Sequence, residues 1–128
     1  MKLIDRKVTK ENKELLIGNL KEESLKEGFS ILSEYNFNTI LEKKGFQTDK
    51  KAYILEICNP SIAKEVLFLD PIAGINLPCK LGVFEKDDGY HVIYMDPESL
   101  VEDKHLKIVL ASISRSLNSI VDKAMQLN

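Results

Sequence analysis

The chain has 128 residues, 44% of them apolar and 30% charged, which is enough to bury one core and too little for two. That balance excludes a disordered chain and makes metal or disulfide staples unnecessary for folding. Its 18 basic and 20 acidic residues leave a net charge of −2, against the basic excess that binding nucleic acid through its phosphates normally requires.

The first segment, Lys2 to Thr9, reads as a strand. Its basic run Lys2, Arg6, Lys7, Lys10 and Lys13 is broken by Asp5 and Glu11 and carries no aromatic residues between its charges, so it reads as a solvated edge strand leading into a helix. The N-terminus lacks the apolar stretch of a secretory signal. From about Lys10 to Glu27 a charged segment carries Leu16, Ile17, Leu20 and Leu25 at roughly helical spacing. Gly28 is placed to end that helix with positive φ, and Phe29-Ser-Ile-Leu-Ser begins a strand on alternate apolar positions.

A short helix follows, capped by Asn38 or Thr39, with Glu42 three residues after Thr39 and Gly45 as the stop. Ala52 to Cys58 is the clearest buried strand. Asn59-Pro60 then supplies an N-cap and an N1 proline, so the pattern predicts a helix from Pro60 to about Leu69. The run Ile72 to Pro78, seven residues without charge, is apolar for a loop and belongs either under the helices or against another subunit or a ligand. The longest uncharged run, Pro71 to Cys79, falls far short of the roughly 20 residues needed to span a bilayer.

Leu81 to Glu85 and Tyr90 to Met95 flank Asp88-Gly89, a hairpin signal. The last segment is the most regular: Leu106, Val109, Leu110, Ile113, Leu117, Ile120, Val121 and Ala124 fall on one helical face. No repeat, low-complexity tract or linker interrupts residues 1–128, so they are read as one domain. Clustered strands, with the longest helices at the two ends of the order, predict an α+β fold: a mainly antiparallel sheet with helices packed on one face, a two-layer sandwich.

The chemistry concentrates around Cys58 and Cys79. Two cysteines in a chain of this size do not make a secreted disulfide scaffold, and a cytoplasmic location with no membrane partner is the default expectation. Cys58 directly precedes a capped helix, whose N–H groups and dipole can stabilise a thiolate and lower its pKa. Buried free cysteine is also an ordinary small hydrophobe, and that packing role is the larger share of the expectation. If the flanking strands pair antiparallel as neighbours, the two cysteines reach the same edge of the sheet; a parallel crossover would separate them.

Neither His91, among strand residues, nor His105, in the first turn of the last helix, completes a metal motif, and the cysteine spacing matches no zinc site. Phosphate-binding loops and nucleophile elbows are absent from the sequence. Asp70 and Asp96, each before a proline, read as helix-boundary residues before they read as paired acid–base carboxylates.

The segments Tyr53-Ile-Leu-Glu-Ile-Cys-Asn-Pro60, Ala63, Asp70-Pro71, Gly74 and Leu77-Pro-Cys79 together resemble the signature of the family known as domain of unknown function 302. The join Leu25-Lys-Glu-Gly-Phe-Ser-Ile-Leu32 and the closing Asp96-Pro97 extend the likeness from about residue 12 to the C-terminus. This resemblance implies a layout like that of TATA-binding-protein folds, and a homodimer. It carries Cys58, Asn59, Pro60, Pro78 and Cys79 over as motif positions, and it brings no established activity and no defined cofactor.

Three readings follow. In the first, a dimeric binding module holds a small molecule, a soft metal such as copper(I) or zinc, or a sulfur species around Cys58, Asn59, Pro60, Pro78 and Cys79. In the second, a thiol-dependent enzyme uses Cys58 and Cys79 in redox chemistry. The third is a non-catalytic dimer associating through its long C-terminal helix or a sheet edge.

Overall fold

The computed structural model describes residues 1–9 and 12–127; Lys10 and Glu11, which belong to the basic run and the expected start of the first helix, lie outside them. Five strands, β1 (Leu3–Lys7), β2 (Ser30–Asn36), β3 (Ala52–Cys58), β4 (Cys79–Lys86) and β5 (Gly89–Met95), form one sheet in the order β1-β5-β4-β3-β2. Every pairing is antiparallel. The helices are α1 (Lys13–Lys26), α2 (Phe37–Lys43), α3 (Pro60–Leu69) and α4 (Lys104–Leu127), with 3-10 helices at Pro71–Asn76 and Pro97–Leu100. The molecule is an α+β sandwich, as its patterning predicts.

Alternation along the strands assigns the two faces of the sheet. Tyr53, Leu55 and Ile57 of β3 stand beside Val83, Leu81 and Cys79 of β4 on the covered face, where they meet Leu16 and Leu20 of α1 and Ile113, Leu117, Ile120 and Val121 of α4. The apolar face read for α4 is this core: Leu117, Ile120 and Val121 are at most 1% exposed. From Ile113 to Ala124 that face is spent on the sheet and α1.

A second, smaller core joins Val66 of α3 and Ala73 to Leu106 and Leu110 of α4. It pins the α3 region to the first turns of the long helix. On the opposite, open face of the sheet the ring of Phe84 lies across Gly82, where an added Cβ would come within 2.2 Å of Cε2.

Several local readings need correction. In α1 the buried face runs through Leu16, Asn19, Leu20, Glu23 and Ser24, while Leu25 is exposed. Ser24 can take the inner position because its hydroxyl donates to the Leu20 carbonyl at 2.6 Å, which satisfies the buried polar group locally. The cap of α2 is Asn36, accepting from the Thr39 amide at 3.3 Å. Asn38 is instead buried and ties down residues 48–52, donating to Thr48 Oγ1 and the Lys50 carbonyl and accepting from the Ala52 amide at 2.9 Å. Gly28 and Gly45 do end their helices with φ of +85° and +88°.

Around β1, Arg6 pairs with Asp122 and Lys7 with Asp88, so these two charges of the basic run are compensated. Among the described residues no helix is long and apolar enough to cross a membrane.

Candidate functional site

The antiparallel β3–β4 ladder brings the two cysteines to one end of the sheet. Cys79 stands opposite Ile57, one residue from Cys58, and both are free thiols, partly buried. Because neighbours along a strand face opposite sides, Cys79 shares the covered face with Ile57, whereas Cys58 turns to the open face.

The expected activation of Cys58 does not occur. Burial pushes its thiol upward. Burial also raises Cys79 to about 12, with a further contribution from the charge Cys58 would carry. Desolvation thus outweighs the helix terminus, because the α3 N-terminus is already occupied: Asn59 Oδ1 accepts from the Ile62 amide at 3.2 Å, and Pro60 supplies no N–H. At neutral pH both sulfurs are thiols.

The 70–79 segment builds a cleft on this end. Asp70 Oδ1 accepts from the Ile72 amide at 3.0 Å and opens the 3-10 helix. Leu67 packs on Gly74, where a Cβ would lie 2.6 Å from Leu67 Cδ2, so the glycine lets this turn sit close to α3. The chain then leaves through a cis Leu77–Pro78 bond into β4. Between this segment and the start of the 97–100 turn lies a cleft of about 300 Å³, lined by Ile75, Leu77, Pro78, Cys79, Met95 and Leu100 among others. Asn76 and Lys80 provide polar groups there.

Of the five motif residues, Pro78 and Cys79 line the cleft, whereas Cys58, Asn59 and Pro60 do not. Met95, Pro97 and Leu100 are contributors that the sequence reading passed over; the uncharged 72–78 run and the Asp96-Pro97 boundary were the available signals. Asp70 and Asp96 are each engaged locally, Asp70 in its turn and Asp96 with the Ser114 hydroxyl, and neither lines the cleft.

A second charged cluster sits at the opposite end of β5. His91, 6% exposed, is hydrogen-bonded through Nδ1 with Asp5 at 2.6 Å and through Nε2 with Asp88 at 2.7 Å. Hydrogen bonds to both carboxylates raise its pKa, and the same bonds hold Asp5 and Asp88 low. Lys86 and Lys7 add a second cation to each aspartate. His105 is a first-turn residue of α4, its amide donating to Asp103 at 2.9 Å. Among the described residues no group of three His, Cys, Asp or Glu is arranged to hold a metal ion.

The comparisons with known proteins agree with this fold. No curated protein matches the chain. A solved structure of an uncharacterized conserved protein from Bacillus stearothermophilus is 30% identical, with a TM-score of 0.88 over 97% of this chain and 98% of that one. The model of the family described as domain of unknown function DUF302 matches residues 5–124, and the chain belongs to that family.

Proposed function

We propose that the protein is a binding module for a small, largely apolar, uncharged molecule held in the cleft at Pro78 and Cys79. The observation that carries this reading is the lining: aliphatic side chains, two methionines and a thiol kept neutral by burial, with Asn76 and Lys80 as polar groups that can orient a guest. A mostly apolar concavity with few convergent polar groups is the usual form of such a site. The volume of about 300 Å³ limits the guest to a small molecule.

Thiol chemistry is less well supported. A nucleophilic or redox cysteine needs a lowered pKa or an adjacent base, and here burial raises both thiols. Native mass spectrometry of gently purified protein under reducing conditions tests the proposal, with saturable binding of Nile red as the second readout. Retained extra mass and dye binding are expected in the unsubstituted protein and in Cys58→Ser. Both should be lost in Met95→Trp, which fills the cleft from a residue 39% exposed. Bare protein with no saturable dye binding would overturn the reading.

A further inference from the structure

Helix α1 carries two residues that its own stability does not explain. Gly18 sits in the middle of the helix, where glycine is the least favourable residue short of proline. No neighbour requires it, since an added Cβ would meet nothing within 4 Å. Lys13 is the first residue of the same helix, at the end whose dipole disfavours a cation. Its side chain is only 19% exposed, and among the described residues its carboxylate partner is Glu14 at 4.0 Å, itself 84% exposed.

Both residues line one hollow of about 320 Å³ between α1 and the edge strand β2. It lies at the end of β3 away from Cys58 and shares no residue with the cleft at Pro78 and Cys79. Its charges divide into a closed set and an open one. Lys21 pairs with Glu34, and the Tyr53 hydroxyl donates to the same carboxylate. Lys21 and then Tyr53 hold Glu34 below its usual pKa, so it stays ionised and cancels Lys21. Asn36 spends its Oδ1 on the Thr39 amide, which leaves its amide hydrogens as donors at the hollow. Lys13 remains as an incompletely paired cation, with Gly18 beside it as bare helix backbone.

We infer that this hollow binds a small organic carboxylate, its head on Lys13 and Asn36 and its apolar body laid over Gly18 and Ile17. A partly desolvated cation with a distant partner gains most from an anion that displaces water around it. The missing Cβ lets a flat or slender body lie close against the helix. An inorganic anion would not need the glycine, and an apolar guest would not need the lysine. The site stands independently of the cleft reading.

Benzoate is the probe, followed by amide chemical shifts of the 15N-labelled full chain. Saturable shifts are expected at Ile17, Gly18 and Asn36, with benzyl alcohol weaker by about tenfold or more for want of the charge. Lys13→Met should raise the benzoate dissociation constant about tenfold, and Lys13→Arg should keep it. Gly18→Leu should abolish the shifts at Ile17 and Asn36 while melting no lower than the unsubstituted protein, because leucine fills the hollow and favours the helix. Should Gly18→Leu fail to fold, the Lys13 pair decides alone. No saturable shift, shifts centred on the Pro78–Cys79 cleft, or a constant unmoved by Lys13→Met or by a folded Gly18→Leu would overturn the inference. Inorganic phosphate moving the same amides at lower concentration would mark a general anion site, and benzyl alcohol binding as tightly as benzoate a purely apolar one; either would overturn it too.

Discussion

Helix α4 and the segment from α3 to residue 76 are both rich in aliphatic side chains, yet they spend them differently. In α4 the apolar residues recur at helical spacing and disappear against the sheet, with Ile120, Val121 and Ala124 all at 0% exposure. In the α3 segment only Val66 and Ala73 are buried, and Phe68, Ile72 and Ile75 stand in solvent. Apolar content alone does not place a residue inside. Periodicity against a matching partner does, and apolar residues left over after that match are the ones free for recognition.

The sharpest test of this contrast is truncation on each side of it. Leu117→Ala should cost about 2–5 kcal/mol in denaturant unfolding, since it opens a cavity in the main core. Ile72→Ser should stay within about 0.5 kcal/mol. Comparable losses at the two positions would break the distinction between core and surface.

Between these extremes lies the polar frame of the site. Asn59→Ala removes the α3 cap and should cost about 1 kcal/mol. Because Asn59 does not line the cleft, Nile red affinity should hold in the same variant, and a lost affinity with intact stability would place Asn59 in the binding site after all.

The smallest effect expected is the pH dependence at the His91 cluster, far from both regions. His91 has a folded pKa raised above the usual 6.5, so its contribution to stability is full below that pH and fades as pH climbs through the raised value. Asp5 and Asp88 are lowered from 3.8; theirs is present above that pH and fades as acid approaches the lowered values. The two effects leave a stability maximum in mild acid. In His91→Gln the decline on the alkaline side should vanish, and an unchanged profile would assign that decline to other groups.

How much of this was legible depended on the range of the interactions involved. The α4 stripe, the Asn59-Pro60 start of α3 and the stops at Gly28 and Gly45 are local patterns, and each appears where the residues predict it. Asn38 misled because its partners are Thr48, Lys50 and Ala52, 10 to 14 residues away, so a residue with good capping chemistry serves a loop instead. The electrostatics of Cys58 misled for a related reason: the helix terminus is visible in sequence, but the burial that outweighs it comes from packing. Asp5 and His91, 86 residues apart, meet only because β1 pairs with β5, a register no local pattern discloses. The cleft was half legible, through the uncharged 72–78 run and Pro78-Cys79, while Met95 comes to it at the end of β5, beside the start of β4, and Leu100 from the 3-10 helix beyond β5.

The strand order also bears on how the chain comes together. From β2 to β5 each strand lies beside its successor in sequence, a meander closed by nearby residues. β1 alone must find a partner across most of the chain, Leu3 opposite Met95 and Lys7 opposite His91. Closing so long a loop costs entropy before its contacts return anything, and as an edge strand β1 has a ladder on one side only. Native-state hydrogen exchange should therefore find β1 opening at lower free energy than β3 and β4, making it the last of these strands to lock and the first to leave.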